Sequence, residues 1–303
     1  MKTILFLFLM LILLMPAHCV PYFYVALRSS NGLYQVGQTG SVTQVSISGI
    51  SDAYIVKRYM EDKLLVSDHG GNRVLVLNQQ GQTLRSTSLS GYTTGVGSTP
   101  DGTIYYSAWS YSNIWEWTPT DQVSTYAGSY SSIFGGVAIT NVDGKNYVYA
   151  AHSTAVSKID PVTKNYTTIN IPGYSWPNLV SDTQGNVFTY GVYGSESTIT
   201  KIAPNNATST FYTANSGSTI AGIDYSIWDS KYYVLEENSS GQFNIYTTLD
   251  GTNKNLYLSN ISGIASGTQA GFAVFDTEFV NIPEPGSLLL LALGMLFCKR
   301  KFF

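Results

Sequence analysis

Charge is scarce in this chain: Asp, Glu, Lys and Arg make up 12% of 303 residues, histidine occurs three times and cysteine twice. Few charges alongside 23 tyrosines exclude a disordered chain, because disorder goes with high charge and few aromatics. The cysteines, Cys19 and Cys298, sit one in each apolar terminal segment, so the region between them has no internal disulfide and no Cys-ligated zinc site. Residues 20–282 carry 12 basic and 18 acidic side chains, a net of −6, which leaves no cationic footprint for nucleic acid. Helical periodicity is also missing between the termini, so the architecture must be built from strands.

What is present begins with the two ends. Lys2 precedes an unbroken apolar run over 4–15, followed by Pro16, Ala17, His18 and Cys19, which places small residues at −3 and −1 of a cut after Cys19. This pattern predicts a signal peptide over 1–19, with a retained anchor or an acylated Cys19 as the alternatives. Residues 281–303 combine a rigid break at Pro283-Glu284-Pro285, an apolar helix-forming run, and a basic stop at Lys299, Arg300 and Lys301 that would stay cytoplasmic. The apolar run has 11 residues over 288–298, or 17 counted from Ile282, where about 20 are needed to span a bilayer. So short a transmembrane helix suits a temporary anchor better than a permanent one. A GPI signal would end apolar, whereas here the basic cluster comes almost last.

The order, spacing and position of these residues resemble the PEP-CTERM sorting tail of Gram-negative bacteria that make exopolysaccharide. The resemblance implies that the exported protein is held transiently in the inner membrane until a processing protease, an exosortase, acts near the Pro-Glu-Pro motif. By the same resemblance Pro283, Glu284 and Pro285 are a recognition element, not a catalytic one. The destination it implies is the cell surface or extracellular matrix.

Between the termini the chain repeats. Short strands rich in Tyr, Val and Ile recur at 23–26, 63–66, 103–106, 147–150, 186–189, 232–235 and 271–274. The turn residues Asp62, Asp101, Asp143, Asp182 and Asp229 are spaced by 39, 42, 39 and 47 residues. A further strand follows each unit's first, as at 73–77 and 114–117, and Gly-rich apolar stretches such as 95–97 and 135–138 precede most units. Several short strands per unit of about 40 residues predict an all-β fold, a single β-propeller of six or seven blades over 20–280. The first unit lacks an inner strand and the last an outer one, so closure across the termini would give six complete blades instead of seven thin ones. Within one unit, Asp68, the pair Asn72-Arg73, the apolar 74–77 and the turn at 78–81 resemble an NHL-type repeat, which implies the same fold superfamily.

Candidates for chemistry are few. His69 lies in a turn signature where a polar residue caps a hairpin, and His152 lies at a strand end; neither has an acidic partner at telling spacing. No Gly-x-Ser-x-Gly elbow occurs, and the Asp-Gly pairs at Asp101, Asp143 and Asp250 read as turn chemistry, not as a calcium loop. Glu236-Glu237-Asn238 is a local acidic cluster at a strand end. No catalytic residue, metal ligand or cofactor is assigned. The aromatics are the better hint: Trp115 and Trp117 alternate in one strand and share a face, Trp109 precedes them, and Trp176 and Trp228 lie beside inner strands. Such rings either stack on sugars or fill the wedges between twisted blades. The leading expectation is a non-enzymatic surface protein whose propeller binds exopolysaccharide or another surface protein. The rival is a metal-dependent lactonase or lyase on the same fold, since propellers host both.

Overall fold

The computed structural model describes the chain from Pro21 to Asp276 except residues 28–31, 61, 110, 129–134, 153, 175, 192–196 and 265–269. The expected signal peptide, the Pro-Glu-Pro motif and the basic stop at Lys299, Arg300 and Lys301 lie outside the described residues. Residues 22–275 form one unit by their contacts. Every regular element among the described residues is a strand, and no helix there is long and apolar enough to cross a membrane.

The strands form six four-stranded antiparallel sheets. Blade I pairs β24 (Ala270–Asp276) with β1 (Pro21–Leu27), β2 (Gly32–Val36) and β3 (Val42–Val45). Blade II is β4 (Ala53–Tyr59), β5 (Lys63–Asp68), β6 (Arg73–Leu77) and β7 (Thr83–Ser88). Blade III holds β8 (Thr93–Ser98), β9 (Ile104–Ala108), β10 (Ile114–Trp117) and β11 (Val123–Ala127). Blade IV is β12 (Val137–Val142) to β15 (Tyr166–Asn170), with β13 (Lys145–Ala151) and β14 (Ala155–Ile159) between. Blade V runs through β16 (Pro177–Ser181), β17 (Val187–Gly191), β18 (Thr198–Ile202) and β19 (Thr208–Thr213). Blade VI runs through β20 (Ser218–Ser226), β21 (Lys231–Asn238), β22 (Phe243–Thr248) and β23 (Asn255–Ile261).

The blade count therefore resolves to six, closed by the last strand completing the first blade. One assignment within the repeat is corrected: 271–274 is not another second strand but the inner strand that blade I lacked. Its composition gives the reason. A Cβ on Gly271 would come within 2.5 Å of the Val56 amide, and one on Gly95 within 2.5 Å of the Gly135 carbonyl, so inner strands need glycine where backbones meet around the axis.

Three of the repeating aspartates share one role. Asp101, Asp182 and Asp229 lie in the turns between the first and second strands of their blades, and each carboxylate accepts a hydrogen bond from the amide two residues on, at 3.0, 2.9 and 3.3 Å. This local bond fixes the turn before any long-range packing exists, which is why the residue recurs at blade spacing. Between blades the wedges are filled by buried apolar residues, including Tyr54, Tyr106 and Trp117 between blades II and III.

Candidate functional site

Antiparallel order puts the start of the first strand and the turn between second and third strands at one end of each blade, here the upper face. The turns between first and second and between third and fourth strands lie on the lower face. The functional candidates divide between these two faces.

On the upper face His69 is 3% exposed and stacks on Tyr92 with centroids 4.8 Å apart and planes 11° apart. Its Nδ1 lies 3.5 Å from an Asp52 carboxylate oxygen, while Nε2 finds no hydrogen-bond partner among the described residues. Trp176, at φ +55° just before β16, lies 5.0 Å from Trp109, 6.3 Å from His69 and 6.4 Å from Tyr54, centroid to centroid. Blades II and V stand opposite in a ring of six, so the contacts of Trp176 with Tyr54 and His69 cross the axis at this end. Beneath this cluster, the wholly buried Asp68 carboxylate accepts from the amides of Ser51, Asp52 and Gly71 and from Arg73 Nε at 2.8 Å. The sequence singled out Asp68, Asn72 and Arg73 as a motif; Asp68 and Arg73 hold residues 49–52, the connection that enters blade II, onto that blade.

His152 is buried with Nε2 2.8 Å from Ser157 Oγ. Glu236 is likewise buried and accepts from Tyr212 Oη at 2.6 Å and from Asn215 Nδ2 at 3.1 Å, tying blade VI to blade V. Trp117 is 1% exposed with the Arg85 guanidinium 4.4 Å above its ring, and Trp115 stacks on Tyr106 at 5.9 Å, both on the face that packs blade III against blade II.

The lower face is open. Around the axis lies a cavity of about 230 Å³ lined by Lys57, Arg58, Ser98, Asp182, Asp224 and Tyr225. Lys57 reaches across the ring to donate to the Leu179 carbonyl of blade V. Burial lowers its amine to about 8 against the opposing pull of Asp224, and burial raises the Asp224 carboxyl although the Val274 amide, Arg58 and Lys57 favour its charged form. Both side chains keep partial exposure because they face the cavity while protein surrounds them on every other side. A second cavity of about 620 Å³ lies between blades V and VI, within the size range of ligand pockets, lined by Gln184, Lys201, Phe211, Tyr225, Tyr232 and Leu249. Thr183 and Tyr225 line both, so the two spaces share a wall.

The floor of the outer cavity is aromatic: Tyr232 sits 4.8 Å from Phe211, 4.9 Å from Phe188 and 5.0 Å from Tyr225. Asp182 holds Tyr232 from below with a 2.7 Å hydrogen bond, and burial followed by this bond pushes the phenol's pKa up. Trp228, 50% exposed, stands at the tip of the turn whose flanks, Tyr225 and Ser230, line this cavity.

Residues 281–301 match the family model of the PEP-CTERM protein-sorting motif. The chain carries a PEP-CTERM sorting motif. That motif indicates export and membrane-anchored sorting in Gram-negative bacteria, with an exosortase as the processing enzyme. No curated protein sequence matches the chain. Among solved structures it is similar to a chain of a nidogen/laminin complex, with a TM-score of 0.62 and 9% identity over 84% of this chain and 98% of that one. It is also similar to a protein from Bacteroides caccae (TM-score 0.60, 13% identity, 84% and 98% covered) and to streptogramin B lyase (TM-score 0.57, 13% identity, 76% and 77% covered). At such identities the likeness is one of fold.

Of the five tryptophans singled out in the sequence, Trp109 and Trp176 meet on the upper face, Trp115 and Trp117 share an interblade wedge, and Trp228 lies half exposed on the lower face. Among the described residues, no three His, Cys, Asp or Glu side chains gather as a metal site requires. The sequence reading missed Lys57 and Asp224. The available signal was charge inside strands that otherwise read as apolar inner strands, Ala-Tyr-Ile-Val-Lys-Arg-Tyr and Ala-Gly-Ile-Asp.

Proposed function

We propose that this PEP-CTERM protein, after a signal peptide over 1–19 is removed, is processed near Pro283, Glu284 and Pro285, with Lys299, Arg300 and Lys301 as the cytoplasmic stop. The propeller over 20–280 then acts at the cell surface or in the matrix as a binding module for polysaccharide. The observation that carries the reading is the lower-face groove between blades V and VI: an aromatic floor of Phe211, Tyr225 and Tyr232 beside the exposed ring of Trp228, edged by the hydroxyls and amides of Thr183, Gln184, Ser209 and Thr252. Flat rings offer C–H faces of sugars a surface to stack on, and short polar side chains pair with sugar hydroxyls without burying charge. Trp228, half exposed at the turn that flanks the groove, is the favoured stacking residue.

The experiment is a pair of measurements on cells making the native protein. Mass spectrometry of the C-terminal peptide from inner-membrane and surface fractions should find the surface form ending near Pro283 to Pro285. Pull-down of the surface form with extracted polysaccharide should succeed for the native chain and fail for Trp228→Ala. Persistence of Lys299, Arg300 and Lys301 in every fraction contradicts the processing half, and unchanged capture by Trp228→Ala contradicts the groove.

A further inference from the structure

The polypeptide enters and leaves the propeller on the lower face. β1 is the second strand of its blade, so it starts there at Pro21, and β24 is the first strand of the same blade, so it finishes there at Asp276. Side-chain contacts agree. The ring of Phe275 lies 5.8 Å from Tyr22 and 5.1 Å from Tyr24, Tyr24 donates to the Gln79 carbonyl in a lower-face turn, and the Val274 amide donates to Asp224 in the axial cavity.

The link from β24 to the apolar part of the sorting tail is short. Residues 277–287 separate the strand from the apolar run that begins at Leu288. Fully extended, these residues reach about 40 Å. β24 is the innermost strand of blade I, so a link bound for the upper face would cross three strand spacings of about 4.8 Å and then climb about 20 Å of strand, using nearly all of that reach.

The lower face is also where apolar side chains meet solvent. Among the described residues, every exposed large apolar side chain except Tyr92 lies at the lower end of its blade: in the turns at Met60, Val162, Ile227, Trp228 and Leu249, or at the lower ends of β7, β11, β15 and β23. Ion pairs beside these turns join Lys63 to Asp62, Arg85 to Asp121 and Lys231 to Asp229, and each pair adds no net charge to the face.

We infer that, while the sorting tail anchors the chain, the propeller rests with its lower face on the bilayer, with Ile227, Trp228 and Leu249 in the headgroup region. Trp and Leu are side chains that favour that layer. The inference rests on the sorting motif and stands apart from the sugar reading of the groove, to which it adds an order of events: the bilayer covers Trp228 until the tail is removed.

The test uses the full chain with Cys19→Ser and Cys298→Ser, reconstituted in phosphatidylcholine vesicles doped with a lipid that carries a nitroxide on its headgroup. A bimane fluorophore is attached to one introduced cysteine in blade VI, either Ser230→Cys in the lower turn or Ser239→Cys in the upper one. Nitroxide quenching at the lower position should exceed that at the upper by about threefold or more, and it should survive a rise in salt from about 0.1 M to about 1 M, because apolar contact is not screened. Ile227→Glu with Leu249→Glu should bring the lower label down to the level of the upper one. Ile227→Leu with Leu249→Ile should leave it unchanged, which separates loss of contact from a folding defect. Equal quenching at the two positions, or more at the upper, overturns the orientation, and quenching that salt abolishes overturns the apolar contact. These readings need no sugar, so the groove can fail its own pull-down while the orientation holds.

Discussion

The two faces of the propeller use the same residue types for opposite purposes. On the upper face, carboxylates, a histidine and tryptophans are turned onto each other: Asp68 is saturated by four donors, His69 stacks on Tyr92, and Trp176 meets Trp109. On the lower face, aromatics and cations are held in place from below and left facing space, as Tyr232 is by Asp182 and Lys57 by Leu179. The lesson is that residue chemistry alone does not mark a site in this fold. What marks it is whether the partners of a polar or aromatic group lie on all sides or on one.

The contrast is broken most forcefully from the upper face. Asp68→Ala strips four hydrogen bonds from a wholly buried position and leaves Arg73 without its carboxylate, so denaturant unfolding should show a loss of about 3–5 kcal/mol. Gly271→Ala should cost about 1–3 kcal/mol in the same measurement, because its methyl meets the Val56 backbone and the closure of the ring must shift.

The lower face should answer pH through Lys57. Lys57 titrates near 8 when folded and near 10.5 when unfolded, so between these values the unfolded chain binds more protons and stability rises with pH. Buried tyrosines work in the other direction at higher pH: Tyr149, pushed up to about 12 by burial, keeps its proton when folded but not when unfolded, so stability falls once pH passes about 10. Unfolding experiments should thus show stability climbing from pH 8 towards 9.5 and turning over above, with the climb absent in Lys57→Met. The smallest effect on stability belongs to Trp228→Ala, within about 0.5 kcal/mol, because the ring is half exposed. If this variant instead unfolds the protein, Trp228 belongs with the packing tryptophans and the difference between the faces dissolves.

The fold was legible because its signals are local. Asp101, Asp182 and Asp229 each close their own turn, and the inner strands with Gly95 and Gly271 need glycine where a neighbouring backbone approaches. The position of 271–274 was harder, since an inner and a second strand both read as short apolar runs and only pairing separates them. The candidate site was legible in part. Trp228 stood out as an aromatic beside an inner strand, but nothing in sequence distinguishes it from Trp115 and Trp117, whose burial depends on the blade opposite. Lys57 and Asp224 are separated by more than half the chain, and only the closed ring brings them to one cavity.

The most direct test of the account is amide hydrogen exchange on the full chain with and without oligosaccharide released from the extracted polysaccharide. Binding at the lower face predicts added protection confined to residues 183–184, 225–232 and 249–252. Protection appearing instead at 52–54, 69–72, 92 and 109 would place the ligand on the upper-face cluster around His69 and contradict the account.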